Sequence, residues 1–73
     1  MIEKQKLLFD QAIEFHKKKD LSNAQLKYEE ILKLNPNNAE AYVNLGVIFK
    51  TKGDLNTAIK CYLQGIKLDP KNK

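Results

Sequence analysis

Apolar residues recur every three or four positions along the whole chain and never form a run of more than three. Leu8, Ala12 and Phe15 keep helical spacing near the start, with Phe9 and Ile13 beside them. Tyr42, Leu45, Gly46 and Phe49 do the same further on. Between and after these lie Leu21, Ala24, Tyr28, Ile31 and Leu32, and then Leu55, Ala58, Ile59, Tyr62 and Ile66. A repeat of this period is the mark of helices that bury one face and solvate the other. The breaks between the stripes are explicit. Lys52-Gly53-Asp54 puts glycine where a helix can end and an acid where the next can be capped. Asn35-Pro36-Asn37-Asn38 closes another stripe, because the residue before proline is pushed out of the helical region. Asn38 is then placed to cap a helix starting at Ala39. The pattern predicts four helices, at 3–18, 21–34, 39–52 and 55–68.

The four stripes are two copies of one unit. A shift of 34 residues lays 5–38 on 39–72 without a gap. Identities fall at Phe15/Phe49, Lys18/Lys52, Asp20/Asp54, Leu21/Leu55, Ala24/Ala58, Tyr28/Tyr62, Lys33/Lys67, Leu34/Leu68, Pro36/Pro70 and Asn38/Asn72. Ala12/Gly46 and Ile13/Val47 are close in chemistry. Identities and apolar spacing keep the same register, so the repeat is structural rather than compositional. One position departs from the scheme: Lys19 stands where the second copy has Gly53. If that turn needs a left-handed residue, lysine costs about 1 kcal/mol there. The first hairpin turn is therefore expected to differ slightly or to fray.

Composition narrows what such a chain can do. Its 73 residues allow one small domain, 1–73, built of repeats 5–38 and 39–72. A chain of this size buries only about 60% of its unfolded surface and usually needs extra support. Cys61 is the single cysteine and His16 the single histidine. An intrachain disulfide is impossible, and neither a metal site nor a cofactor is expected. No positive-then-apolar leader follows Met1 and no apolar run approaches a span, so neither a signal peptide nor a membrane helix is expected. With a free thiol, this points to a reducing, cytoplasmic setting.

The net charge is +4, yet all thirteen basic residues are lysine and none is the arginine that forks onto phosphate. The lysines are interleaved with acids, and only Lys17-Lys18-Lys19 forms a block, which suits a helix C-terminus. Specific nucleic-acid recognition is not expected. Binding to an anionic surface by net charge remains the least favoured function class. No catalytic constellation stands out. Gly46, Gly53 and Gly65 do not make a phosphate loop, and His16 and Cys61 lie on non-equivalent helices. Glu29 and Glu30 fall on different sides of one helix, among lysines.

The second copy carries Tyr42-x-x-Leu45-Gly46-x-x-Phe49, then Ala58-x-x-x-Tyr62, then Pro70. This resembles the tetratricopeptide repeat (TPR), with tyrosine in place of the family's first tryptophan. The first copy follows the same scheme through Leu8, Gln11, Ala12, Phe15, Ala24, Tyr28 and Pro36, with Leu8 and Gln11 departing from it. The resemblance covers 5–72 and implies an all-α, right-handed solenoid of two helical hairpins. It also implies a non-enzymatic scaffold that binds a protein or peptide. By the same resemblance, the first helix of each repeat lines a concave groove. Its residues here are Lys6, Phe9, Asp10, Ile13, His16 and Lys17, and then Glu40, Val43, Asn44, Val47, Lys50 and Thr51. The repeat core does not require apolar side chains at Phe9, Ile13, Val43 and Val47, so these are expected to form an exposed strip suited to a partner helix or extended peptide. The alternative is that they pack on the N-terminal turn or on a second copy.

The run Ala39–Gly46 looks like repeats of O-linked N-acetylglucosamine transferases and related scaffolds, in which the asparagine equivalent to Asn44 holds peptide backbone. Asp10 occupies the matching place in the first copy. Other family members clamp acidic C-terminal chaperone tails with lysine and asparagine. Phe9 and Ile13 stand at those places here, so no such binding is expected.

Each repeat buries its face against the next, and solenoids normally need three units and a polar cap. Two repeats leave Ile59, Tyr62, Leu63 and Ile66 incompletely covered, and Leu63 and Cys61 look out of place on a solvated face. The chain is expected to be either a piece of a longer array or a unit that self-associates through those residues, as a homo-oligomer or by exchange of hairpins.

Overall fold

The computed structural model describes residues 2–70. They form four α-helices: α1 Ile2–Lys17, α2 Leu21–Leu34, α3 Ala39–Lys52 and α4 Leu55–Leu68. Among the described residues there is no strand. α2, α3 and α4 coincide with the predicted segments, and α1 is displaced by one residue toward the N-terminus. The substantial packing follows chain order, α1 on α2, α2 on α3 and α3 on α4, so the molecule is two helical hairpins stacked side by side. Asn72, the last repeat identity, lies outside the described residues.

The helix ends explain why the chain folds back where it does. Three N-caps accept a backbone N–H from the first turn of their helix. Asp20 accepts from Asn23 at 3.3 Å, Asn38 from Ala41 at 3.1 Å and Asp54 from Thr57 at 3.2 Å. Each satisfies a donor that the helix cannot satisfy itself. At the hairpin turns, Gly53 is left-handed with φ 91°, and its N–H donates to the Lys50 carbonyl at 3.0 Å, while Asp54 N–H reaches Phe49 at 2.9 Å. Lys19 adopts φ 62°, and the same two bonds recur from Lys19 to His16 and from Asp20 to Phe15, both at 2.9 Å. The expectation of a different or frayed first turn is thus corrected. Lysine is held in the left-handed form because two backbone hydrogen bonds and the Asp20 cap depend on that geometry. Between the hairpins, Asn35 is extended ahead of Pro36, and its side-chain oxygen accepts from Asn37 N–H at 3.1 Å.

One cluster of buried side chains runs through the first three helices: Leu8, Ala12, Ala24, Tyr28, Ile31, Ala41, Leu45 and Ile48. Fully burying an aliphatic side chain such as Ile31 or Ile48 stabilises by about 1.5–3 kcal/mol. Small residues set the helix spacing. Ala12 and Ala24 are wholly enclosed in the first hairpin. In the second, Tyr62 lies so close on Gly46 that a Cβ there would sit 2.8 Å from its Cε1. Gly65 likewise receives Val43, whose Cγ2 would stand 2.8 Å from an added Cβ.

Two further expectations are corrected by this packing. Cys61 does not stand on a solvated face; it is half-buried against the core cluster, and burial, with a lesser effect of Asp54, pushes its thiol pKa up. Nor is the strip of Phe9, Ile13, Val43 and Val47 uniformly exposed. Ile13 is exposed, whereas Phe9, Val43 and Val47 are half-buried. Phe9 meets Tyr28 edge-on, ring centroids 5.9 Å apart at 68°, an arrangement that suits the ring quadrupoles.

Candidate functional site

Where α1, α2 and α3 converge, the surface dips into a concavity of about 370 Å³. Ile13, His16 and Lys17 come from the second half of α1, Glu40 and Asn44 from the first half of α3, and Tyr28 from α2 between them. The spacings account for this convergence. Residues 13, 16 and 17 share one helix face, and 40 and 44 are one turn apart on another. Glu40 lies in the first turn of α3, where the helix dipole favours a carboxylate, and Lys17 in the last turn of α1, where it favours a cation.

Tyr28 forms the floor. It is 1% exposed, belongs to the buried cluster that also holds Ala12 and Ala24, and its ring meets Phe9 edge-on. Burial, and to a lesser degree the neighbouring Glu40 carboxylate, raise its pKa above the ordinary tyrosine value. The hydroxyl is accordingly a donor across the physiological range. The wall opposite carries the Asn44 amide, both donor and acceptor. An apolar patch at Ile13, an amide, a phenol and charges of both signs can hold a peptide main chain and one side chain. They do not compose an acid–base pair aligned on a nucleophile.

Of the groove residues that the resemblance implies, Ile13, His16, Lys17, Glu40 and Asn44 line this concavity. Lys6, Asp10 and Lys50 are exposed and lie outside this concavity. Phe9 supports its floor from below through Tyr28, Val43 turns toward Gly65, and Val47 is half-buried. The Thr51 hydroxyl is engaged locally, donating to the Val47 carbonyl at 2.9 Å. Sequence reasoning missed Tyr28, assigning it to the core alone. Its hydroxyl was the available signal, because a buried tyrosine usually brings its polar tip to a place where it can meet a partner.

On α4, Leu55, Ile59, Leu63 and Ile66 are exposed along one face. Tyr62 turns aside from them, half-buried on Gly46. Among the described residues no three His, Cys, Asp or Glu side chains are grouped to hold a metal ion, and no helix is long and apolar enough to cross a membrane.

Comparison with known proteins agrees with the architecture. A family model described as TPR repeat matches residues 12–53, more than half of the chain, and a second, described as Tetratricopeptide repeat, matches residues 39–72. No curated protein matches the chain. The two matches overlap at residues 39–53 and together run from the middle of α1 to beyond the end of α4. With four helices packed as successive hairpins, the chain belongs to the tetratricopeptide repeat family, whose members typically serve as non-catalytic scaffolds for protein–protein interaction.

Proposed function

We propose that this protein binds a peptide segment of a partner protein in the concavity between α1 and α3. The observation that carries the proposal is the meeting of Ile13, Tyr28, Glu40 and Asn44 around one opening of about 370 Å³. Its size suits a single side chain, and the polar groups at its rim suit the adjoining main chain. In this reading Asn44 pairs with a backbone amide, Tyr28 donates from the floor, and Ile13 covers an apolar portion of the ligand. Lys17 and Glu40 set the register through charge, which favours specificity and association rate over raw affinity.

Display of random linear peptides against the immobilised protein tests this reading. Selected peptides are expected to lose at least about tenfold in affinity to Asn44→Ala and to Ile13→Lys. Both substitutions fall at the groove surface and leave the helical circular dichroism intact. Phe9→Lys is unsuitable, since it would remove the support of Tyr28. Enrichment of peptides that bind both variants as well as the parent protein would sink the proposal.

A further inference from the structure

The two repeats provide an internal control on the last helix. In α2 the face turned toward the following hairpin carries Leu21, Gln25, Glu29 and Leu32. Gln25 donates to Glu29 at 3.1 Å and accepts from Lys52 of α3 at 2.7 Å. The equivalent face of α4 carries Leu55, Ile59, Leu63 and Ile66, which are 57%, 53%, 61% and 51% exposed. The polar pair that receives a lysine in the first repeat is thus replaced by two aliphatic side chains. A following hairpin built like α3–α4 would bring a lysine onto Ile59.

The opposite end of the molecule does not fit this face either. On α1 the places of the buried Ala41, Leu45 and Ile48 are taken by Leu7, Gln11 and Glu14. Charged Lys4, Lys18, Lys27, Glu30 and Lys33 rim the two shallow hollows beside them. Head-to-tail stacking of copies would press the exposed charges of Glu14 and Lys18 onto the aliphatic Ile59 and Leu63, and taking them out of water there is costly. The aliphatic face instead complements itself. Leu55, Ile59, Leu63 and Ile66 are spaced almost symmetrically about residue 61. Two copies laid antiparallel set Leu55 beside Ile66 and Ile59 beside Leu63, continuing the packing by which α2 covers α3.

We infer that α4 is the contact surface of a closed, two-fold dimer in which two copies pack tail to tail through Leu55, Ile59, Leu63 and Ile66. Such an interface is isologous and saturates at two copies. One helix face is small beside the about 1,200–2,000 Å² of stable complexes, so the dimer forms reversibly and grows with concentration. This inference is independent of peptide binding in the concavity, which lies on the other side of α3.

Light scattering on the full chain, at concentrations up to about 1 mM, tests it. The expected result is a mass that rises from one copy and levels at two. Leu63→Glu and, separately, Ile59→Lys should weaken association by about tenfold or more with unchanged circular dichroism, whereas Glu14→Lys should leave it unaltered. In a Cys61→Ala background, Ile59→Cys copies mixed with Leu63→Cys copies should join through a disulfide. A single-copy mass throughout, a mass climbing past two, indifference to Leu63→Glu, or no disulfide between the mixed copies would each overturn the inference.

Discussion

Lys19 and Gly53 hold the same place in the two hairpins and the same left-handed backbone, with φ 62° and 91°. Glycine enters that region freely, while lysine pays for its Cβ. No atom lies within 4 Å of where a Cβ would stand on Gly53, so crowding does not enter the comparison there. Lys19→Gly is therefore expected to stabilise the fold by about 0.5–1 kcal/mol, net of the extra freedom glycine gains in the unfolded chain. Urea denaturation reads the shift as a higher midpoint at unchanged slope; a lower midpoint would show that the turn tolerates lysine without strain. The repeat alignment made this position legible, because a lysine opposite a glycine is visible in the letters. Phe9 and Cys61 were not legible in that way. Their burial depends on the angle between helices, which sets whether a flanking position meets a neighbour or water.

At the scale of the element, the caps carry the sequence into structure most directly. Asp20, Asn38 and Asp54 each precede an apolar stripe, and each accepts the N–H three residues on. The boundaries of α2, α3 and α4 were readable for that reason. The Thr57 hydroxyl and then the Thr57 backbone N–H hold the Asp54 carboxyl below the ordinary aspartate range. A group whose folded pKa is depressed stabilises above its unfolded pKa and loses that contribution as pH falls through the folded one. Acidification below about pH 4 should thus loosen the start of α4, and Asp54→Asn should remove most of the pH dependence assigned to that helix. Amide exchange at Thr57, followed by NMR between neutral and acid pH, is the measurement. Equal acid sensitivity in the variant would show that the cap is not its source.

At the scale of the whole molecule, the four helices were legible from the apolar spacing and the breaks, and their pairing into hairpins from the 34-residue period with the resemblance it carries, whereas the concavity was legible only in part. Ile13, Lys17, Glu40 and Asn44 were assigned to it from the resemblance, but the meeting of three helices that admits Tyr28 to its floor needs the stagger between hairpins. That stagger rests on how α2 packs on α3, between two segments that the 34-residue period treats separately.

Packing in chain order has a kinetic consequence. Each helix leans chiefly on the one before it and the one after it, so few contacts require distant parts of the chain to find each other first. Chains of this kind cross their folding barrier in microseconds to milliseconds, faster than sheet proteins of equal length. They also open unevenly, since the outer helices α1 and α4 have one principal neighbour each and the inner pair has two. A temperature jump monitored in the amide infrared band should show relaxation within that window. Hydrogen exchange in dilute protein should release α1 and α4 before α2 and α3. One common exchange rate for all four helices would mean that the hairpins open together as a single cooperative unit.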